Sequence, residues 1–273
     1  MQTATILAEA GLALDTVAGR VADLLSSLPD ACAGIPGSEW TVREAAAHLA
    51  GYSAIYAEIA NGAPSPIQAA TGDGAMFREV LRVNSAQRLV DLPETDPVRL
   101  AQLVVDAAGR LIDTTSGRPD EQAVSFHCGF PLTIAGLVCT SLSEHLLHGY
   151  DIATAVRAPW PIDPTHAALG LYGLAPLFAL CVNPETTNGL SVAFEVELRG
   201  VGRSVIRFVD GEYRLEPADL GPVDCVISAD PIAYLLVGAR RLSRWSAISL
   251  GLLSASGSRP ELALRFGDLF IYP

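Results

Sequence analysis

Glu144 and His148 stand four residues apart in a stretch whose apolar spacing predicts a helix, so both side chains leave one face and can reach one point. His48 lies on another predicted helix, on the face it shares with Ala45, Leu49 and Tyr52. If those helices pack side by side, two imidazoles and a carboxylate line one concave place. Such a set, with one coordination position open, suits catalytic zinc, and equally nickel or ferrous iron. Spacing alone leaves plainer readings open: a Glu–His pair at i, i+4 is commonly solvated, and a single histidine such as His48 is commonly a satisfied core residue. His145, about 100° round the helix from Glu144, is expected outside the cluster, in a supporting or surface position. Asp151, one turn beyond His148, is placed either to orient a ligand or to cap locally.

The elements that must position these groups are helical. Apolar residues recur at helical spacing from Ile6 to Leu28, Val42 to Ile59, Phe77 to Val90, Val98 to Ile112 and Ile134 to Val156. Clusters rich in Pro, Gly and Asn separate them. Thr41 and Glu44 have capping-box spacing, with Trp40 placed as a hydrophobic staple. This pattern implies an up-and-down four-helix bundle over residues 1–160. From 161 onward the character changes. A connecting helix from Pro164 to Cys181 precedes strands at Leu190 to Leu198 and Arg203 to Val209, with a hairpin turn at Asp210-Gly211 leading to Tyr213 to Leu215. A strand at Val223 to Ser228, a helix at Pro231 to Val237, a strand at Leu252 to Ser256 and a closing helix at Arg259 to Phe266 complete residues 161–273. The fold class is therefore α+β: a helical bundle followed by a small α+β domain.

The chain has 273 residues and a net charge of −12, and its 18 basic residues are all arginine. Without lysine there is no Walker A phosphate ligand and no Schiff-base nucleophile. A net-acidic chain with no basic block is a poor match for a nucleic-acid backbone. No apolar run reaches the roughly 18–20 residues of a membrane span, and Met1 to Ala10 lacks the basic start of a signal peptide. The five cysteines form no CxxC pair and read as reduced, mostly buried thiols of a cytoplasmic protein. Cys128 and His127 are adjacent and diverge, so they make no dyad, and Ser141 and Ser143 lack a G-x-S-x-G context.

Two motifs carry a resemblance. Trp40-Thr41-Val42-Arg43-Glu44-Ala45-Ala46-Ala47-His48-Leu49-Ala50 resembles the helix start and histidine of DinB-like metal-binding bundles. Glu144-His145-Leu146-Leu147-His148-Gly149-Tyr150-Asp151-Ile152-Ala153 resembles the signature of the mycothiol-dependent maleylpyruvate isomerase family, with Tyr150 where the family usually has tryptophan. The C-terminal part, with its Ala229-Asp230-Pro231 helix start and Gly238-Ala239-Arg240-Arg241, is similar to the sterol-carrier-protein-like domain appended in that family. Ala239 stands where a glycine commonly precedes the arginine, so Arg240 and Arg241 share the candidacy.

The resemblance implies that His48, Glu144 and His148 hold a divalent metal, zinc foremost, and that the cofactor thiol is mycothiol, the low-molecular-weight thiol of actinobacteria. A lysine-free, arginine-rich composition agrees with a GC-rich source of that kind. It implies a cis–trans isomerase: the thiolate adds to the double bond of maleylpyruvate, the central bond rotates, and elimination gives fumarylpyruvate. The same thiolate attacking another electrophile would make the enzyme a mycothiol S-transferase, and a non-catalytic lipid- or ligand-binding protein is the alternative from another class. A small anionic or electrophilic substrate requires local positive charge that only arginine can supply, so Arg82 and Arg240 are the candidate catalytic contacts, with Arg241 and Asn84 as thiol-binding candidates. The expected assembly is a monomer or homodimer.

Overall fold

A computed structural model describes residues 5–68 and 73–272. Its described residues divide into two compact units, 5–68 with 82–162 and 172–174, and 73–81 with 163–171 and 175–272.

The first unit is built on α1 (Ile6–Ser26), α2 (Val42–Ala60), the later turns of α3 (Gly74–Asp91), α4 (Pro97–Thr115) and α5 (Ile134–Val156). Helix α1 packs against α4 and α5, and α2 packs against the same two, so α1 and α2 take opposite corners of a four-helix square. Leu14, Leu25, Leu49, Ile59, Leu100, Leu111 and Leu137 fill its interior. The square is thus α1, α2, α4 and α5, and α3 meets it through Tyr52 Oη and Ser85 Oγ, 3.2 Å apart. Side-chain caps start the helices: Thr5, Thr41, Asp96 and Thr133 each accept a backbone N–H of the first turn. At α2 the capping box is complete, with Thr41 N–H donating to Glu44 Oε2 at 2.7 Å. A short hairpin of β1 (Ala123–Ser125) and β2 (Pro131–Thr133) precedes α5 and encloses a helical turn at His127–Gly129. The hydrophobic pattern had not pointed to that hairpin.

The second unit begins with part of α6 (Pro164–Leu177) and α7 (Pro184–Thr187), then forms β3 (Val192–Leu198), β4 (Gly202–Val209), β5 (Glu212–Pro217), β6 (Cys225–Ala229), α8 (Pro231–Gly238), α9 (Arg244–Ser249) and β7 (Leu253–Ser256). The sheet order is β5-β4-β3-β6-β7, and β3–β6 is its parallel pair. The Asp210-Gly211 signal is realised: both residues have positive φ, 52° and 87°, as a two-residue hairpin demands. Two expectations change. The connecting helix stops at Leu177, just after Pro176, and continues to Cys181 as a 3₁₀ turn. The closing helix is instead two 3₁₀ segments, Pro260–Leu264 and Phe266–Leu269. The chain is therefore α+β, a helical bundle with a mixed sheet. Residues Pro164–Cys181 reach the length and, at mean hydropathy 1.2, the composition of a candidate membrane span. At Gly173 that stretch lies so close to the Cys139 and Thr140 backbone that a Cβ would clash.

Candidate metal centre

The packing of α2 on α5 brings His48, Glu144 and His148 together. His48 Nε2 lies 3.2 Å and His148 Nε2 3.3 Å from the same oxygen, Glu144 Oε2. All three donor atoms fall within 4.8 Å of one another. A tetrahedral site with bonds near 2.0–2.1 Å separates neighbouring donors by about 3.3 Å. The two edges to Glu144 Oε2 match that figure, and two imidazoles with one carboxylate leave a position open.

Hydrogen bonding fixes one ring. His148 Nδ1 lies 3.1 Å from Asp151 Oδ2, three residues on along α5. Its Nδ1–H donates to that carboxylate, so the Nε2 lone pair of the neutral ring faces Glu144. Two acceptors at 3.3 Å repel, and either a second proton on His148 or a cation between them removes the conflict. Burial alone lowers the His148 pKa, but the bonds to Asp151 and Glu144 outweigh it and raise it above the usual value. For Glu144, burial pushes upward, yet the hydrogen bonds and charges of His148 and His48 hold the carboxyl well below its ordinary range. Burial holds His48 below the usual histidine value despite its bond to Glu144. The set at neutral pH is thus an anionic carboxylate beside a neutral imidazole and a place that calls for positive charge. His48 Nδ1 is buried without a protein partner among the described residues.

Aromatic rings wall the cluster. Trp40, expected as a staple, stacks on His148 at 5.6 Å and tilts over His48 at 4.9 Å. Tyr52 lies against His48 at 4.3 Å. Gly149 has a packing reason to follow His148: a Cβ there would run into the Trp160 indole, whose Nε1–H donates to Leu146 O at 3.1 Å. Arg20 lies over that indole at 4.3 Å.

His145 is fully buried, neither at the surface nor in the cluster; its Nδ1 meets Ser141 O at 2.8 Å, and burial lowers its pKa to about 4. Arg82 is exposed and Asn84 half-buried on α3. From α3, Ser85 reaches Tyr52 by hydrogen bond and Arg88 by its charge. Arg88 also lines a cleft of about 410 Å³ with Gly51, Ile55, Pro64, Pro66 and Leu92, which includes none of the three metal-site residues. In the second unit, Arg240 has φ +60° and its guanidinium lies 5.6 Å over the Tyr272 ring, while Arg241 donates to Ala239 O at 2.8 Å. Burial lifts the Cys139 and Cys181 thiols to about 12, which suits packing and not nucleophilic work. Trp40 was expected only as a staple, and Tyr52, placed by its spacing on the His48 face, was given no part in the site.

No protein-family model and no curated protein matches the chain. Among solved structures, the mycothiol-dependent maleylpyruvate isomerase aligns over 93% of this chain and 96% of its own, at 17% identity and a TM-score of 0.49. A histidine-to-alanine mutant of the mycothiol-dependent maleylpyruvate isomerase aligns over the same shares, at 16% identity and a TM-score of 0.50. From its helical bundle to its mixed sheet, this chain has the fold of a mycothiol-dependent maleylpyruvate isomerase.

Proposed function

We propose that the protein is a metal-dependent, thiol-using enzyme, and specifically a mycothiol-dependent cis–trans isomerase of the maleylpyruvate type. The observation that carries this reading is the convergence of His48 Nε2 and His148 Nε2 on Glu144 Oε2, at metal-site spacing, in a chain with that enzyme's fold. A divalent metal held there, zinc foremost, would stabilise the thiolate of a coordinated thiol near neutral pH.

The chain's own residues do the rest. Glu144 contributes the negative charge of the donor set and His48 a neutral ring. Asp151 holds the His148 proton on Nδ1 and so keeps Nε2 directed at the site. Trp40 and Tyr52 shield both rings from water. Arg82 and Arg240 are the proposed contacts for substrate carboxylates, with Asn84 and Arg241 serving the thiol.

Incubation of the metal-loaded protein with mycothiol and maleylpyruvate, followed through the enol absorbance, tests the assignment. Turnover that vanishes in His48→Ala and His148→Ala supports it. Conjugation of mycothiol to a generic electrophile without turnover of maleylpyruvate would reassign the protein as an S-transferase. Absence of both activities would remove the enzymatic reading.

A further inference from the structure

Around the short helix α9, the second unit turns large apolar side chains outward. Trp245 is 58% exposed, Ile248 42%, Leu250 69% and, on the 3₁₀ segment Pro260–Leu264, Leu264 44%. Trp245 and Ile248 stand three residues apart and share a helix face, while Ala247 between them is buried on another. Arg244 draws two parts of the group together: its Nη1–H donates to Leu264 O at 2.9 Å, and its guanidinium lies 5.3 Å over the Trp245 ring. Arg199 donates to Leu252 O at 3.1 Å, two residues beyond Leu250. Single exposed apolar residues need no explanation, but a group of four that includes a tryptophan marks a surface that meets something.

The charge at this place is opposite in sign to that of the chain. Residues 240–265 hold five arginines and one carboxylate, in a protein of net charge −12. Arg259 is taken up by Asp224 and Glu261, at 3.7 and 3.9 Å. Arg199, Arg244 and Arg265 are exposed and form no ion pair among the described residues. Salt limits the reach of an exposed charge to about 10 Å. An anionic surface brought against α9 therefore meets the local excess of guanidinium and not the acidic remainder of the molecule.

We propose that the α9 patch docks the protein on an anionic lipid surface, with Trp245, Ile248, Leu250 and Leu264 entering the headgroup boundary and Arg199, Arg244 and Arg265 meeting lipid phosphates. Side chains that stand this far out of a protein need a medium that yields around them. A bilayer interface does so, and it favours an indole flanked by guanidinium groups. A two-fold contact with a second copy would instead bring the same arginines of both copies together, like charge on like charge. Docking of this kind is peripheral and reversible, and no residue of the metal centre takes part in it.

The experiment floats the full chain with vesicles of phosphatidylcholine alone and of phosphatidylcholine mixed with phosphatidylglycerol, and follows tryptophan emission. The wild type should float with the mixed vesicles, stay behind with phosphatidylcholine alone, and come off as salt is raised. Trp245 is the tryptophan classed as exposed, with Trp40 and Trp160 half-buried, so binding should shift the emission to the blue through Trp245. Trp245→Ser should lower partitioning about tenfold and remove the shift. Arg244→Gln and Arg265→Gln should each lower it about fivefold. Arg214→Gln, an equal change of net charge on β5, should leave it unaltered. These are exposed positions, so the melting temperatures should stay together. Failure to float with the mixed vesicles, equal partitioning of Trp245→Ser, or an Arg214→Gln loss as large as that of Arg244→Gln would overturn the proposal. A dimer in solution that Trp245→Ser converts to monomer would give the patch to a second copy and overturn it too.

Discussion

His148 Nδ1 lies 3.1 Å from Asp151 Oδ2, and that one bond decides which nitrogen of the ring remains for a ligand. Both residues lie on α5, three positions apart, so the helix itself sets the pairing. Asp151→Asn puts a neutral amide where the carboxylate accepts the Nδ1 proton. Metal affinity is expected to fall about 10–100-fold, the usual effect of losing such support. Competition against a chelator measures it, and circular dichroism should show the helices intact.

Gly149→Ala tests how the helix is braced beside His148. The added methyl meets the Trp160 indole, which must move and give up its bond to Leu146 O. Overpacking of this kind costs about 1–3 kcal/mol. Thermal melts should show a loss in that range, and pairing the change with Trp160→Ala should recover less than additive damage.

Acid stability should carry the mark of His127. Its folded pKa, about 3, lies below the unfolded value of 6.5, because burial opposes the charged ring. Below pH 6.5 the unfolded chain takes up a proton that the native ring refuses. This contribution therefore favours folding at neutral pH and is lost progressively from pH 6.5 toward 3, by at most about 1.4 kcal/mol per pH unit. Urea midpoints measured from pH 7 to 4 should fall less steeply in His127→Phe than in the wild type; parallel curves would contradict the assignment.

Thr41→Ala removes the hydroxyl that starts α2, and loss of such a cap costs about 1 kcal/mol. Trp40, next to the cap, stacks on His148. The variant should therefore show a change in tryptophan fluorescence together with a modest drop in melting temperature.

What could be read in advance follows from how local each signal is. Glu144 and His148 share a helical face, and Thr41 with Glu44 makes a cap, because a helix repeats every 3.6 residues and its contacts are near in sequence. Asp210-Gly211 announced its hairpin for the same reason: the turn's positive φ angles restrict residue type. Strands β1 and β2, at three residues each, are too short to leave an alternation, so the turn that holds His127 was not foreseen. The closing segment kept helical spacing but formed 3₁₀ turns, since a few residues of apolar periodicity do not distinguish the two. The Trp40–His148 stack joins positions more than a hundred residues apart, and nothing in either local pattern encodes it.

The central claim is that His48, Glu144 and His148 form one metal centre. Elemental analysis of the purified wild type beside His48→Ala, Glu144→Ala and His148→Ala, all exposed to the same zinc solution and then desalted, addresses it most directly. One zinc per wild-type chain and a loss of most of it in each variant is the expected result. Variants that keep the wild-type zinc content, or a wild type that retains none, would contradict the account.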